Sequence, residues 1–251
     1  MPENYTYTTH TYNGTKIHII STPATNIRLN NYAKDGVANS VIDSVSYGVN
    51  GSFFVMSPIE NSNEKKNDVL NICTYNGTPV GSRDVDAMYN HIGDGAIAWN
   101  GSHILSFTNV RYSDDISFST ESDTWCQGGI ALWLGDSNWQ TKFKNQRAAG
   151  DYLNSNKERT AMIANMNTDR IFLIVTEDKV TTPEFRATIQ SYLGITDASN
   201  PSNTYKGIML DGGGSAQMRI KNASGKVVEV GNKESGIYRG IPQHINLKAA
   251  F

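Results

Sequence analysis

The sequence predicts an α+β fold: one domain over residues 1–251, built on a mixed β-sheet with a few flanking helices. Three observations predict it. Short runs of β-branched and aromatic residues alternate along the chain with Asn-Gly and other glycine-containing turns. One segment, 182–194, carries a full set of helix signals and lies between two apolar runs, Ile171–Val175 and Ile208–Leu210. No internal repeat and no linker-like stretch divides the 251 residues, a length that fits one large domain or two small ones.

The elements follow in order. Residues 5–12 are dense in Tyr and Thr, and 15–20 read Thr-Lys-Ile-His-Ile-Ile; Asn13-Gly14 between them signals a hairpin packed on the domain. His10 and His18 fall on its faces, and neither belongs to a ligand cluster. Val37, Val41 and Val45 stand at helical spacing between Gly36 and Gly48, which predicts a short amphipathic helix over 37–47. Val49-Asn50-Gly51-Ser52-Phe53-Phe54 follows; its two rings face opposite sides of a strand, so one can enter the core while the other borders a pocket. Ser57–Asp68 is polar and reads as a solvated loop. Tyr75-Asn76-Gly77-Thr78 marks a turn between strands, and Ile92–Ile104 reads as a strand and turn. Asp114, Asp115, Glu121 and Asp123 lack the spacing of a calcium loop and read as a solvated acidic stretch. Trp125–Leu134 is a strand containing Gly128-Gly129; Trp133 and Trp139 suit a core or a sugar-stacking platform equally.

Residues 159–165 and 170–176 read as two strands around Asn167-Thr168-Asp169, and the unbroken apolar run 171–175 places the second at the centre of a sheet. Thr182 reads as the N-cap of the clearest helix, Pro183 as its first residue, Phe185, Ile189, Tyr192 and Leu193 as its apolar face, and Gly194 as its stop. Strand, helix, strand predicts that the strands leading to Glu177 and to Asp211 are parallel neighbours, with both carboxylates at one carboxyl edge. Strands near 215–220, 226–230 and 243–247 complete the chain.

Composition excludes some functions. A net charge of −2 gives no basic footprint for a nucleic-acid partner. No apolar run approaches the ~18 residues of a membrane span. Met1-Pro2-Glu3-Asn4-Tyr5 has neither a basic nor an apolar leader region, so no signal peptide is expected, while compartment and oligomeric state stay open. Cys73 and Cys126 read as small buried hydrophobes, their pairing undecided. No cluster with metal-ligand spacing appears, so neither a metal nor another cofactor is expected.

The chemistry concentrates in Gly207-Ile208-Met209-Leu210-Asp211-Gly212-Gly213-Gly214-Ser215. An apolar strand runs straight into an aspartate, and the next three positions carry no Cβ. Such a turn lets a ligand sit on the backbone, where successive N–H groups can receive an anion. A plain hairpin needs only two turn residues.

Leu-Asp-Gly-Gly-Gly-Ser after an apolar strand resembles the signature of the phosphodiester glycosidase family. Three further stretches resemble the family in order: Val49–Phe54, Glu158-Arg159-Thr160-Ala161-Met162-Ile163, and Tyr238-Arg239-Gly240-Ile241-Pro242. Ser52 departs from the family's second glycine, and Glu177-Asp178-Lys179 replaces its usual Asp-Gly-Arg. The resemblance implies a hydrolase that frees a sugar from a glycosyl-1-phosphodiester or another phosphate-containing glycan. The residues suit that chemistry. Asp211 is the principal carboxylate, as general base or nucleophile, and Glu177, then Asp178, the second. The leaving phosphomonoester needs positive charge and hydrogen-bond donors, which Arg159, Arg239, Gly212, Gly213 and Ser215 can supply. Asn50 offers a sugar hydroxyl both a donor and an acceptor, or serves only its turn. A rival of another class is a non-catalytic carbohydrate- or phosphate-binding module on the same scaffold. A metal-dependent phosphodiesterase fits less well, for want of a ligand set.

Overall fold

The computed structural model describes residues 4–32, 39–57, 65–81, 86–116, 123–201 and 203–248. The chain opens with β1 (Thr6–Tyr12) and β2 (Thr15–Pro23). Asn13 and Gly14 take φ of 48° and 83°, the pair of positive values a type I′ hairpin turn requires. Then come β3 (Ile27–Asn31), β4 (Gly48–Asn50), β5 (Cys73–Tyr75), β6 (Thr78–Pro79), β7 (Gly95–Trp99), β8 (Ile104–Phe107) and β9 (Trp125–Ala131). A short helix α1 (Trp139–Lys144) precedes the hairpin β10 (Thr160–Asn165) and β11 (Arg170–Thr176). Helix α2 (Thr182–Leu193) leads to β12 (Tyr205–Met209), and β13 (Met218–Lys221), β14 (Val227–Val230) and β15 (Gln243–Leu247) finish the fold.

These strands form two sheets, not one mixed sheet. The larger has the order β1-β2-β11-β10-β12-β9-β5-β6, with β7 on β9 and β8 beyond; the smaller runs β14-β13-β4-β15-β3. Every ladder in both is antiparallel. Strands β11 and β12 do run in the same direction, but they are not neighbours. The short turn from Asn165 to Arg170 folds β10 straight back on β11 and fills the adjacent slot, and α2 then carries the chain across to the far side of β10. The two carboxyl ends share an edge with one strand between them.

Both faces of the large sheet's centre are covered. One packs Ile20, Met162, Leu173, Val175 and Ile208 against Ile27, Leu29, Val49, Met218, Ile245 and Leu247 of the small sheet. The other packs Ile17, Ile19, Ile163, Phe172 and Ile174 against Phe143 of α1 and Phe185 and Ile189 of α2. Double burial explains the unbroken apolar run of β11.

The N-cap of α2 is Thr181, one residue before the expected one. Thr181 and Glu184 form a capping box, and only that pair has the required spacing of three. The helix does end at Gly194, with φ of 68°. Residues 37 and 38 lie outside the described part of the chain; residues 39–47 form a bridge and turns instead of the expected helix. Side chains claim the N–H groups a helix would use: Asp43 N–H donates to Ser40 Oγ at 2.9 Å and Val41 N–H to Gln217 Oε1 at 2.9 Å. Most of Ser57–Asp68, and Glu121, also fall outside the described residues. Cys73 and Cys126 are buried and free. Thr74 pairs with Cys126, so the two thiols point to opposite faces of the sheet.

Candidate functional site

The end of β12 is where the two sheets meet. Leu210 N–H donates to Thr160 O at 2.9 Å and keeps the strand in register; the next residue, Asp211, leaves the sheet. Asn50, fully buried at the end of β4, fixes that exit. Its Nδ2 donates to Asp211 O at 2.9 Å, while its Oδ1 accepts from Thr160 Oγ1 at 2.8 Å and from Gln217 N–H at 3.1 Å. Asn50 therefore sits beneath the site, with its hydrogen-bonding groups already used by the protein. Ser52 is likewise buried, its N–H on Gln243 Oε1 and its hydroxyl on Asn71.

The glycines are required by close approach. A Cβ on Gly212 would lie 2.5 Å from Glu158 O, and one on Gly214 would lie 2.4 Å from the Glu234 carboxylate. Their N–H groups are mostly taken. Gly212 N–H donates to Asp211 Oδ1 at 2.9 Å and Gly213 N–H to Glu158 O at 2.8 Å. Among the described residues the Gly214 N–H has no partner.

Asp211 keeps part of its surface open. Desolvation is the largest influence on it and pushes its pKa up to about 6, against the pull of a Ser215 hydrogen bond, the Gly212 N–H and the Arg239 charge. Ser215 is fully buried and accepts from Arg239 Nη1 at 3.2 Å, so Arg239, Ser215 and Asp211 form one chain. Arg239 also holds Glu234 two-handed, Nη2 to Oε1 at 2.7 Å and Nε to Oε2 at 3.2 Å.

Arg159 is 2% exposed, and its guanidinium is bound by the main chain. It donates to the carbonyls of Val180 at 3.3 Å, Tyr152 at 3.1 Å and Ser155, and to Ser155 Oγ at 2.9 Å. Burial lowers its pKa to about 10. Tyr152, packed edge-on to Phe53 at 5.0 Å, has its own pKa raised to about 12 by desolvation and then by Asp211.

Around these groups lies a cavity of about 660 Å³. Arg159, Asp211, Gly212, Gly213 and Arg239 all line it, with Ser215 and Asn50 directly behind. Residues scattered from 50 to 239 thus converge. Glu177 and Asp178 do not line it. Glu177 turns away to Lys16 Nζ at 3.0 Å and lies 3.5 Å from His18 Nε2, with 47% of its side chain exposed; the hydrogen bond from Lys16 is the main reason its carboxyl titrates below the usual range. Glu177 and Asp211 do stand at the same edge of the sheet, with β10 between their strands, but Lys16 on β2 offers Glu177 a nearer partner. The cavity contains three carboxylates that strand-end reasoning passed over: Asp151, Glu158 and Glu234. Glu158 is 5% exposed and accepts from Asn232 Nδ2 at 2.5 Å. Its place beside Arg159 in the sequence was the available signal. Trp139 belongs to the core, under the Arg186 guanidinium at 4.5 Å, while Trp133 is partly open beneath Lys142. Among the described residues no three His, Cys, Asp or Glu side chains group as metal ligands.

No protein-family model matches the chain, and no curated protein matches its sequence. Solved structures do match its fold. The zebrafish N-acetylglucosamine-1-phosphodiester alpha-N-acetylglucosaminidase catalytic domain, auto-inhibited by its pro-peptide, superposes with a TM-score of 0.59 at 13% identity, over 97% of this chain and 82% of that one. The chain shares the fold of an enzyme domain. A hypothetical protein from Synechocystis gives 0.56 at 12% identity over 96% of this chain and 61% of that one. A Burkholderia pseudomallei protein gives 0.52 at 12%, over 93% and 74%. At these identities the likeness is one of fold alone. No helix among the described residues is long and apolar enough to cross a membrane.

Proposed function

We propose that the protein is a hydrolase that releases a sugar from a glycosyl-1-phosphodiester by breaking the anomeric C–O bond. The observation that carries this reading is Asp211: a partly open carboxylate with a pKa near 6 on a cavity wall, linked through Ser215 to an arginine. Support also comes from the shared fold and from four sequence stretches that resemble the phosphodiester glycosidases.

The residues divide the work by chemistry. Asp211 takes a proton from water as the water attacks the anomeric carbon, a task suited to a base with a pKa near neutrality. The leaving phosphomonoester has a second pKa of about 6 and departs as an anion with little need of a proton. Arg239 and the Gly214 N–H meet its oxygens. Before they can, Glu234 has to give up its place on Arg239. Glu158 serves as the second carboxylate in place of Glu177, because it lies in the cavity and Glu177 does not. Arg159 acts indirectly: it fixes the 152–155 loop and has few donors left for a phosphate.

The test is a panel of glycosyl-1-phosphodiesters incubated in oxygen-18 water, with products read by mass spectrometry. Label in the released sugar is expected. Label in the phosphate would mean P–O cleavage and would overturn the mechanism. Tight binding without turnover would favour a carbohydrate- or phosphate-binding module.

A further inference from the structure

We infer that the substrate carries at least one anionic group beyond the scissile phosphodiester, held at the cavity mouth by Lys157, Lys179 and Lys233. The inference rests on the proposed reaction only for the name of the scissile group. Five cationic side chains line the cavity. Two are already engaged, Arg159 by main-chain carbonyls and Arg239 by Glu234 and Ser215. Among the described residues the three lysines have no carboxylate within ion-pair distance. Outside the cavity Lys16 pairs with Glu177, Lys142 with Asp136 and Lys248 with Asp123, while Lys144, Lys206, Lys221 and Lys226 show no such pair among the described residues.

The three lysines come from different segments and line the same cavity. Lys157 and Lys179 flank the bridge of Lys157 with Val180, closed by N–H···O bonds of 3.2 and 2.9 Å. The stem of Lys157 passes beside Gly213, its Cδ 3.8 Å from where a Cβ would stand. Lys233 follows Asn232, which is tied to Glu158, and its ammonium lies 5.1 Å from the centre of the Tyr238 ring. Of the four carboxylates in the lining, Glu234 is taken by Arg239, Glu158 by Asn232, and Asp211 by Gly212 and Ser215. The lining thus sets five cations against four carboxylates, and among the described residues the three lysines are the cations that neither an ion pair nor a set of carbonyls holds. A ligand of neutral sugar, one phosphate and a neutral alcohol would use Arg239 and leave all three unmatched. A ligand with repeated negative charge would match them, most strongly at low salt, where charges at a solvated mouth are least screened.

Equilibrium binding of inorganic phosphate, pyrophosphate and tripolyphosphate tests this without requiring turnover. Tripolyphosphate should bind roughly tenfold or more tighter than phosphate, and salt should erode the difference. Lys157→Gln, Lys179→Gln and Lys233→Gln together should bring tripolyphosphate down to the affinity of phosphate, with an unchanged thermal midpoint showing that the fold is intact. Each single substitution should remove part of the advantage, which covers the case of an unstable triple variant. Equal affinity for the three anions, or a folded triple variant that keeps the preference, would overturn the inference. Absence of glycosyl-phosphodiester turnover would overturn the proposed reaction instead.

Discussion

The two walls of the cavity each carry an arginine, and they hold it in opposite ways. On one wall Arg159 is sealed in, its donors distributed over the carbonyls of Tyr152, Ser155 and Val180. On the other, Arg239 is clamped by the exposed carboxylate of Glu234 and touches buried Ser215. A guanidinium bound by carbonyls can be released only by dismantling the loop that supplies them. One bound by an exposed carboxylate can exchange that partner for another anion by a side-chain movement, with no loop dismantled. The first arginine is held as architecture, and the second is the one that the proposed reaction assigns to an anion.

Asp211 stands between them, and changing it should have the largest effect. Asp211→Asn keeps the volume but not the basicity, so kcat should fall by on the order of a hundredfold or more, with KM within a few-fold. A fully active Asp211→Asn would remove the catalytic assignment whatever the walls do.

The arginines themselves give the next effect. Arg159→Ala leaves several buried carbonyls unpaired and should cost about 2 kcal/mol of stability, read as a lower thermal midpoint. Arg239→Ala should move the midpoint little and raise KM for a phosphodiester by roughly tenfold, since it removes charge compensation from bound and reacting states alike. Matching effects in the two variants would erase the distinction between the walls.

A smaller contrast separates the carboxylates. Glu158→Gln should slow turnover at least tenfold. Glu177→Ala should leave it near wild type, because that side chain faces Lys16. The reverse result in the same kinetic assay would restore Glu177.

These contrasts follow the line between what the sequence reveals and what it hides. Asn13-Gly14 determines a turn, Gly194 a helix end, and the apolar run 171–175 a central strand, because each is a local signal. Asp211 with its glycines is legible for the same reason. The small sheet is not: β4 has three residues, too few for periodicity, and its neighbours β13 and β15 lie more than 160 residues away. The mixed sheet was expected because a helix between two strands suggests a crossover to the adjacent position, and nothing local shows that β10 already occupies it. Partners such as Asn232 for Glu158, or Lys16 for Glu177, depend on loops and strands brought near only by the complete fold.

A last contrast is in pH dependence. His244 is buried, its pKa lowered by desolvation from 6.5 to about 4. Between those values the unfolded chain takes up a proton the folded one refuses, so His244 costs stability as pH falls from 6.5 to 4. Asp211 has the opposite sign. Its carboxyl stays protonated to about pH 6 when folded but only to about 3.8 when unfolded, so it costs stability as pH rises across that range. Relative to wild type, the melting temperature of His244→Gln should therefore improve toward acid and that of Asp211→Asn toward neutrality. Parallel shifts in the two pH series would contradict both assignments.

One amide has a consequence for how this protein could be engineered. Asn50 joins a strand of one sheet to Thr160 and Asp211 on the other, and to Gln217 at the start of the next hairpin. The Asp-Gly-Gly-Gly-Ser segment is therefore not a portable cassette. Grafted as a loop onto another sheet it would lose the bolt that sets its exit angle. A transplant would need β4, β10 and the turn into β13 together, and those pieces are most of the junction between the two sheets. The chemistry and the scaffold should be inherited, and lost, as a unit.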